Sequence, residues 1–142
     1  MTTVEITMLG HFAVTVDTVA VAESNWTRRH AAALVKVLAL APDRRLHREQ
    51  LIDLVWPEDT VDEAVPKLHK AAHYARRALA VADAVVLRGD HVMLLPGAAT
   101  TVDVVQFEEL ARRALVNEDV VAARRALALY RGELLPQDRY DE

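Results

Sequence analysis

The 142-residue sequence predicts an α+β fold, and three observations predict it. β-branched residues alternate or cluster from Val4 to Val21. Apolar residues then recur at helical spacing in three stretches between Ala31 and Leu79. A second pair of β-rich runs flanks Arg88-Gly89-Asp90-His91. An apolar fraction of 52% excludes a disordered chain, and 4 Gly with 5 Pro exclude a fibrous one. This length makes one ordinary domain, or one with a fragment of a second.

Each element follows in order. Val4 and Ile6, then Phe12, Val14 and Val16, then Val19 and Val21 are separated by Gly10 and by Asp17-Thr18, which predicts two or three short antiparallel strands. Asn25-Trp26-Thr27 opens a helix with Thr27 as N-cap, and Ala31, Leu34, Val35, Leu38 and Ala41 keep its spacing until Pro42 stops it. After an Asp43-Arg44-Arg45 turn, Leu46, Gln50, Leu51, Leu54 and Val55 mark a shorter helix ending at Trp56-Pro57. Thr60 or Asp62 caps a third helix running to about Ala80. Pro66 is tolerated in or near its first turn, where the missing N–H has no intrahelical partner anyway.

Residues 84–87 and 92–95 form a hairpin whose turn Gly89 supplies. Sheet, three helices, hairpin is the order of a winged helix with an N-terminal antiparallel sheet and a C-terminal wing; a generic α+β domain is the alternative. Residues 96–101 read as a small-residue linker. Asp103 with Gln106 resembles a capping box for a helix to about Val116, and Asn117 caps another to Tyr130, ended by Gly132. Such a helical hairpin cannot bury its apolar face alone. Either it docks on the preceding domain or it begins a longer helical array, so the expected division is 1–97 and 98–142.

Composition removes most chemistry. The chain has no Cys, hence no disulfide, thiolate nucleophile or Cys-based zinc site, and a reducing, cytoplasmic setting is expected. Ser24 is the only serine, and no glycine pattern matches a phosphate-cradling loop. The longest apolar run, residues 31–41, is broken by Lys36 and is too short to span a bilayer, so no membrane partner is expected. His69 and His73 have the i,i+4 spacing of metal ligands. Lys70 stands where a zinc protease carries its Glu and no third ligand is evident, so neither a metal, a cofactor nor an enzyme is expected.

The third helix carries the functional signal. At 100° per residue, Val61, Val65, Leu68, Ala72, Ala75 and Leu79 fall within one arc. Lys70, His73, Tyr74 and Arg77 lie opposite, flanked by Lys67 and His69, while Arg76 falls at the core boundary. No acid occurs in residues 64–82, although 21 of 142 residues are Asp or Glu. Such a face suits a major groove, where Lys and Arg donate to guanine or phosphate and Tyr and His contact phosphate, sugar or base edges. Arg88 and His91 flank the wing turn and are placed to reach the minor groove or backbone. Arg44, Arg45 and Arg48 surround the start of the second helix, where backbone N–H groups also favour phosphate. A solvated basic face is the competing explanation. The net charge of −4 argues against indiscriminate polyanion binding but leaves a local patch effective over about 8–10 Å.

Several motifs follow one another in a recognisable order: Trp26-Thr27-Arg28-Arg29, Leu38-Ala39-Leu40-Ala41-Pro42, Arg45-Leu46-His47-Arg48-Glu49-Gln50-Leu51 and Leu54-Val55-Trp56-Pro57. Leu68-His69-Lys70-Ala71 and Ala75-Arg76-Arg77-Ala78-Leu79 continue them. Together they resemble the OmpR-like winged-helix domain of SARP-type actinobacterial transcriptional activators. Thr101-Val102-Asp103-Val104, Phe107-Glu108 and Leu129-Tyr130-Arg131-Gly132-Glu133-Leu134-Leu135-Pro136 resemble the start of the bacterial transcriptional activator domain, a TPR-like helical-repeat module.

The resemblance implies a sequence-specific regulator of double-stranded DNA. It also implies binding to direct repeats as a side-by-side pair, contact with RNA polymerase, and a recognition helix presenting Lys70, His73, Tyr74 and Arg77. Relatives often carry a small polar residue where Pro66 stands, so first-turn base readout is in question. The family continues with further helices beyond Asp141-Glu142, which implies a longer protein. The alternative is a protein-interaction module of a larger regulator without its own DNA binding. It is motivated by the acidic balance of residues 99–142, with 6 basic and 9 acidic residues.

Overall fold

The structure, a computed structural model, describes residues 1–130, 132, 134 and 135. The parts of the activator-domain motif at Arg131, Glu133 and Pro136, and the expectation drawn at Asp141-Glu142, lie outside the described residues.

Strand β1 (Thr3–Thr7) buries Val4 and Ile6 and exposes Thr3 and Glu5, the period-2 pattern of a strand with one face on a core. It pairs antiparallel with β2 (Ala13–Val16), Val4 opposite Val16 and Ile6 opposite Val14. A two-residue turn leads to β3 (Val19–Ala20), with Asp17 and Thr18 at φ 49° and 70°. Both turn residues at positive φ are what a primed hairpin turn requires.

Helix α1 (Arg29–Leu40) buries Ala31, Leu34, Val35, Leu38 and Ala39. It is followed by β4 (Arg45–His47) and α2 (Arg48–Val55), whose N-cap is His47: Glu49 N–H donates to its Nδ1 at 3.2 Å. Helix α3 (Val61–Leu79) starts with a reciprocal box between Thr60 and Glu63 and stops at Ala80, whose φ of 56° is left-handed. Its buried residues are Ala64, Leu68, Ala71, Ala72, Ala75, Ala78 and Leu79, so small side chains let α3 approach α1 and the sheet closely.

The wing is β5 (Val85–Arg88) and β6 (His91–Leu94), joined by Gly89 at φ 60° and Asp90. Strand β4 pairs with β6, which makes a three-stranded sheet in the order β4-β6-β5. Strand β7 (Ala99–Val102) then returns to pair parallel with β1, giving the first sheet the order β3-β2-β1-β7. Two helices follow, α4 (Asp103–Asn117) and α5 (Val120–Leu129). Five helices and two sheets among the described residues make a mixed α+β, winged-helix-like fold with a helical hairpin after it.

The hairpin docks. Val104 and Val102 join the main core, and Phe107 touches both that core and a smaller one of Leu110, Ala122 and Ala126. Asp103 fastens the joint: Met8 N–H and Leu9 N–H donate to its carboxylate at 2.8 and 3.0 Å.

Several local expectations are corrected. Arg28, not Thr27, precedes α1 as its N-cap, and no side chain caps that helix. Leu46 belongs to β4 because it pairs with Val92 of the wing. The segment read as a linker, residues 96–101, holds the first three residues of β7, since Thr100 and Thr101 find backbone partners on β1. Asp103 does not cap α4; its carboxylate serves Met8 and Leu9 as well as Val104. Asp119, not Asn117, caps α5, accepting from Ala122 N–H at 3.0 Å. Pro66 is the sixth residue of α3, beyond the first turn, and the helix continues through it.

Candidate nucleic-acid interface

The outer side of α3 is positioned by its inner one. With Leu68, Ala72, Ala75 and Leu79 fixed in the core, helical geometry turns Pro66, Lys67, His69, Lys70, His73 and Arg77 outward, and all six are exposed. Lys70, His69 and Arg77 make no hydrogen bond or ion pair among the described residues. Their donors therefore face solvent, ready for an acceptor. Lys67 differs: its Nζ lies 2.6 Å from Asp59 Oδ2, so part of its charge is already answered.

Tyr74 and Arg76 sit deeper than an outward helix face requires. Tyr74 is half-buried, with the Arg28 guanidinium 4.6 Å from its ring centroid and Arg28 Nη2 donating to its hydroxyl at 3.3 Å. The structure thus adds Arg28 to the basic face. Arg76 Nε donates to Val85 O at 2.9 Å and ties α3 to the wing, an intramolecular use in keeping with its position at the core boundary.

The wing and the start of α2 form a second basic group. Register places His47, His91 and Arg88 in one cross-strand row, and the two histidine rings meet edge to face at 5.7 Å. Arg88, His91 and Arg45 are exposed. Arg48 N–H donates to Asp90 O at 2.7 Å, holding the wing turn against α2, while its side-chain Nε is buried without a partner among the described residues. Arg44 is spent on the fold: its Nε and Nη2 donate to Leu94 O and Leu95 O at 3.2 and 3.4 Å.

The twelve residues singled out in the sequence therefore divide. Lys67, His69, Lys70, His73 and Arg77 share the α3 face with Tyr74; Arg45, Arg48, Arg88 and His91 gather at the wing and α2; Arg44 and Arg76 hold backbone carbonyls. Sequence reasoning missed Arg28, Arg29, His30 and His47. A usable signal existed for the first three, since cations crowd the first turn of α1 where the helix dipole favours acids. Among the described residues no helix is long and apolar enough to cross a membrane, and no three His, Asp or Glu stand together as a metal site.

Among solved structures, the chain is similar to Mycobacterium tuberculosis EmbR in complex with a low-affinity phosphopeptide, with a TM-score of 0.68 at 20% sequence identity. The match covers 96% of this chain and 38% of that one, so the chain spans well under half the length of its neighbour. The likeness establishes a shared fold across both the winged part and the helical hairpin. No family model and no curated protein matches the chain.

Proposed function

We propose that the chain is the DNA-binding portion of a SARP-type transcriptional regulator. Helix α3 enters the major groove while the wing holds the backbone or the adjacent minor groove. The observation that carries this reading is the outer face of α3, where exposed His69, Lys70, His73 and Arg77 stand on a segment without acids from residue 64 to 82. The basic row on the wing, the shared fold and the order of the sequence motifs support it. In this reading residues 1–97 are the winged-helix domain, and 98–142 begin a TPR-like helical-repeat domain. The chain acts in the cytoplasm, binds direct repeats as a pair and contacts RNA polymerase as an activator.

Roles differ by residue. Lys70, His73 and Arg77 face base edges or phosphates. Lys67, His69 and Tyr74 border them, and Arg45, Arg48, Arg88 and His91 hold the backbone. Arg44 and Arg76 act through the carbonyls they fix. Arg77→Ala is expected to weaken binding to a selected operator by about 1–3 kcal/mol if Arg77 reads a base, or to reduce the salt slope by about one if it holds a phosphate. Mobility-shift titration at two salt concentrations separates these, and unchanged binding removes Arg77 from the interface.

One observation favours a second reading, a protein-interaction module. The α4/α5 hairpin leaves large apolar side chains in solvent, with Leu115 84% and Leu127 73% exposed. A chain that captures a protein through this hairpin and binds no duplex at low salt is the outcome that favours it.

A further inference from the structure

The N-terminus of α1 has its charges reversed. A helix N-terminus carries partial positive charge and favours acids. The first turn of α1 has none; Arg28, Arg29 and His30 stand there, and no side chain caps it. Lys67 and Lys70 face this end from α3 across an open cleft of about 440 Å³. Five side chains that carry or can carry positive charge thus converge on one uncapped helix end.

A second feature of the cleft points to a ligand. Trp56, part of its wall, is only 6% exposed, and its Nε1 is buried with no hydrogen-bond partner among the described residues. An indole N–H can only donate, and a buried donor left unpaired costs free energy that an acceptor oxygen restores. The His30 ring lies over this indole, centroids 5.3 Å apart and planes tilted by 44°.

We propose that this cleft binds a phosphate oxyanion and that His30 takes up a proton as it does so. Within the function proposed above, on which this inference rests, the oxyanion is a backbone phosphate of the duplex. Arg29 and Lys70 supply charge, the backbone amides of Arg29 and His30 and the Trp56 indole donate hydrogen bonds, and protonated His30 completes the ring of cations.

The electrostatics give the linkage its sign. Burial first, then the charges of Arg29 and Lys67, hold His30 below its ordinary value of 6.5, with Asp59 opposing them. Arg28 at the N-cap of α1, Lys36 on α1, and Lys70 and Tyr74 on α3 border the clefts that His30 lines. Of these residue types only histidine changes charge near neutrality. An oxyanion favours the protonated ring, so the loaded protein holds that proton to higher pH than the empty one. Binding therefore strengthens as pH falls between the two values.

The test compares the full chain with its His30→Gln and Trp56→Phe variants, using inorganic phosphate and duplex DNA as separate probes. Phosphate followed by NMR is expected to shift the Trp56 indole N–H signal and to raise the His30 titration midpoint. Duplex affinity is expected to rise at least about threefold more between pH 7.5 and 5.5 in the wild type than in His30→Gln. Trp56→Phe is expected to weaken duplex binding about three- to tenfold while its melting temperature stays level or rises, because the orphaned donor is gone. Variants that bind duplex like the wild type at every pH overturn the cleft site and leave the DNA-binding reading standing. Absent duplex binding, with both phosphate-induced NMR changes intact, overturns the DNA reading and supports the cleft. Phosphate that moves neither signal overturns the cleft.

Discussion

Asp103 shows how much of this fold can hang on one side chain. Its carboxylate accepts from two backbone amides 94 and 95 residues away, and those bonds hold the turn after β1 against the start of α4. Asp103→Ala leaves both amides unpaired in a partly buried place. It is expected to cost about 2–4 kcal/mol, read as a lower midpoint in chemical denaturation, with Asp103→Asn losing less because one acceptor remains. Local sequence spacing suggested a helix cap for this residue, because an acid three positions before Gln106 matches that pattern. A partner so distant in the chain leaves no local trace. The same limit explains Tyr74: the helical wheel turned it outward, but it packs half-buried against the core, and Arg28, 46 residues earlier, lies over its ring.

At the scale of elements, α3 was legible almost throughout. Its apolar spacing, its Thr60 cap and its end near Ala80 all stand in the structure, because each depends on residues within about one turn. Pro66 is the exception. As the sixth helical residue it removes the donor that Asp62 O would otherwise receive. Pro66→Ala should restore that bond, gaining up to about 3 kcal/mol in the helix and losing about 0.4–1 kcal/mol to the freer unfolded chain. A net gain of about 2 kcal/mol is expected as a raised melting temperature, and a lowered one contradicts the argument. Strands β4 and β7 were the elements the sequence concealed. Each is short, 3 and 4 residues, and exists because a distant strand offers it backbone partners.

Over the whole molecule, one core joins the N-terminal sheet, the three helices and the wing, and Phe107 links it to the smaller core of the hairpin. Strand β7 runs from the wing back to β1, so the hairpin begins on the sheet of the winged part rather than on a tether. This arrangement leaves the outer face of α3 and the wing row clear of α4 and α5, neither of which makes a substantial contact with α3. The basic face was readable from the missing acids alone; the cleft beside it was not, because Trp56, His30 and Lys70 meet only once α1 and α3 have packed. The central claim is that the α3 face reads duplex sequence, and selection of bound sequences from random duplex DNA at low and high salt tests it most directly. The account predicts one enriched motif that survives the higher salt and is lost in Arg77→Ala. Bound duplexes without any enriched sequence, or no bound duplex at low salt, would contradict it.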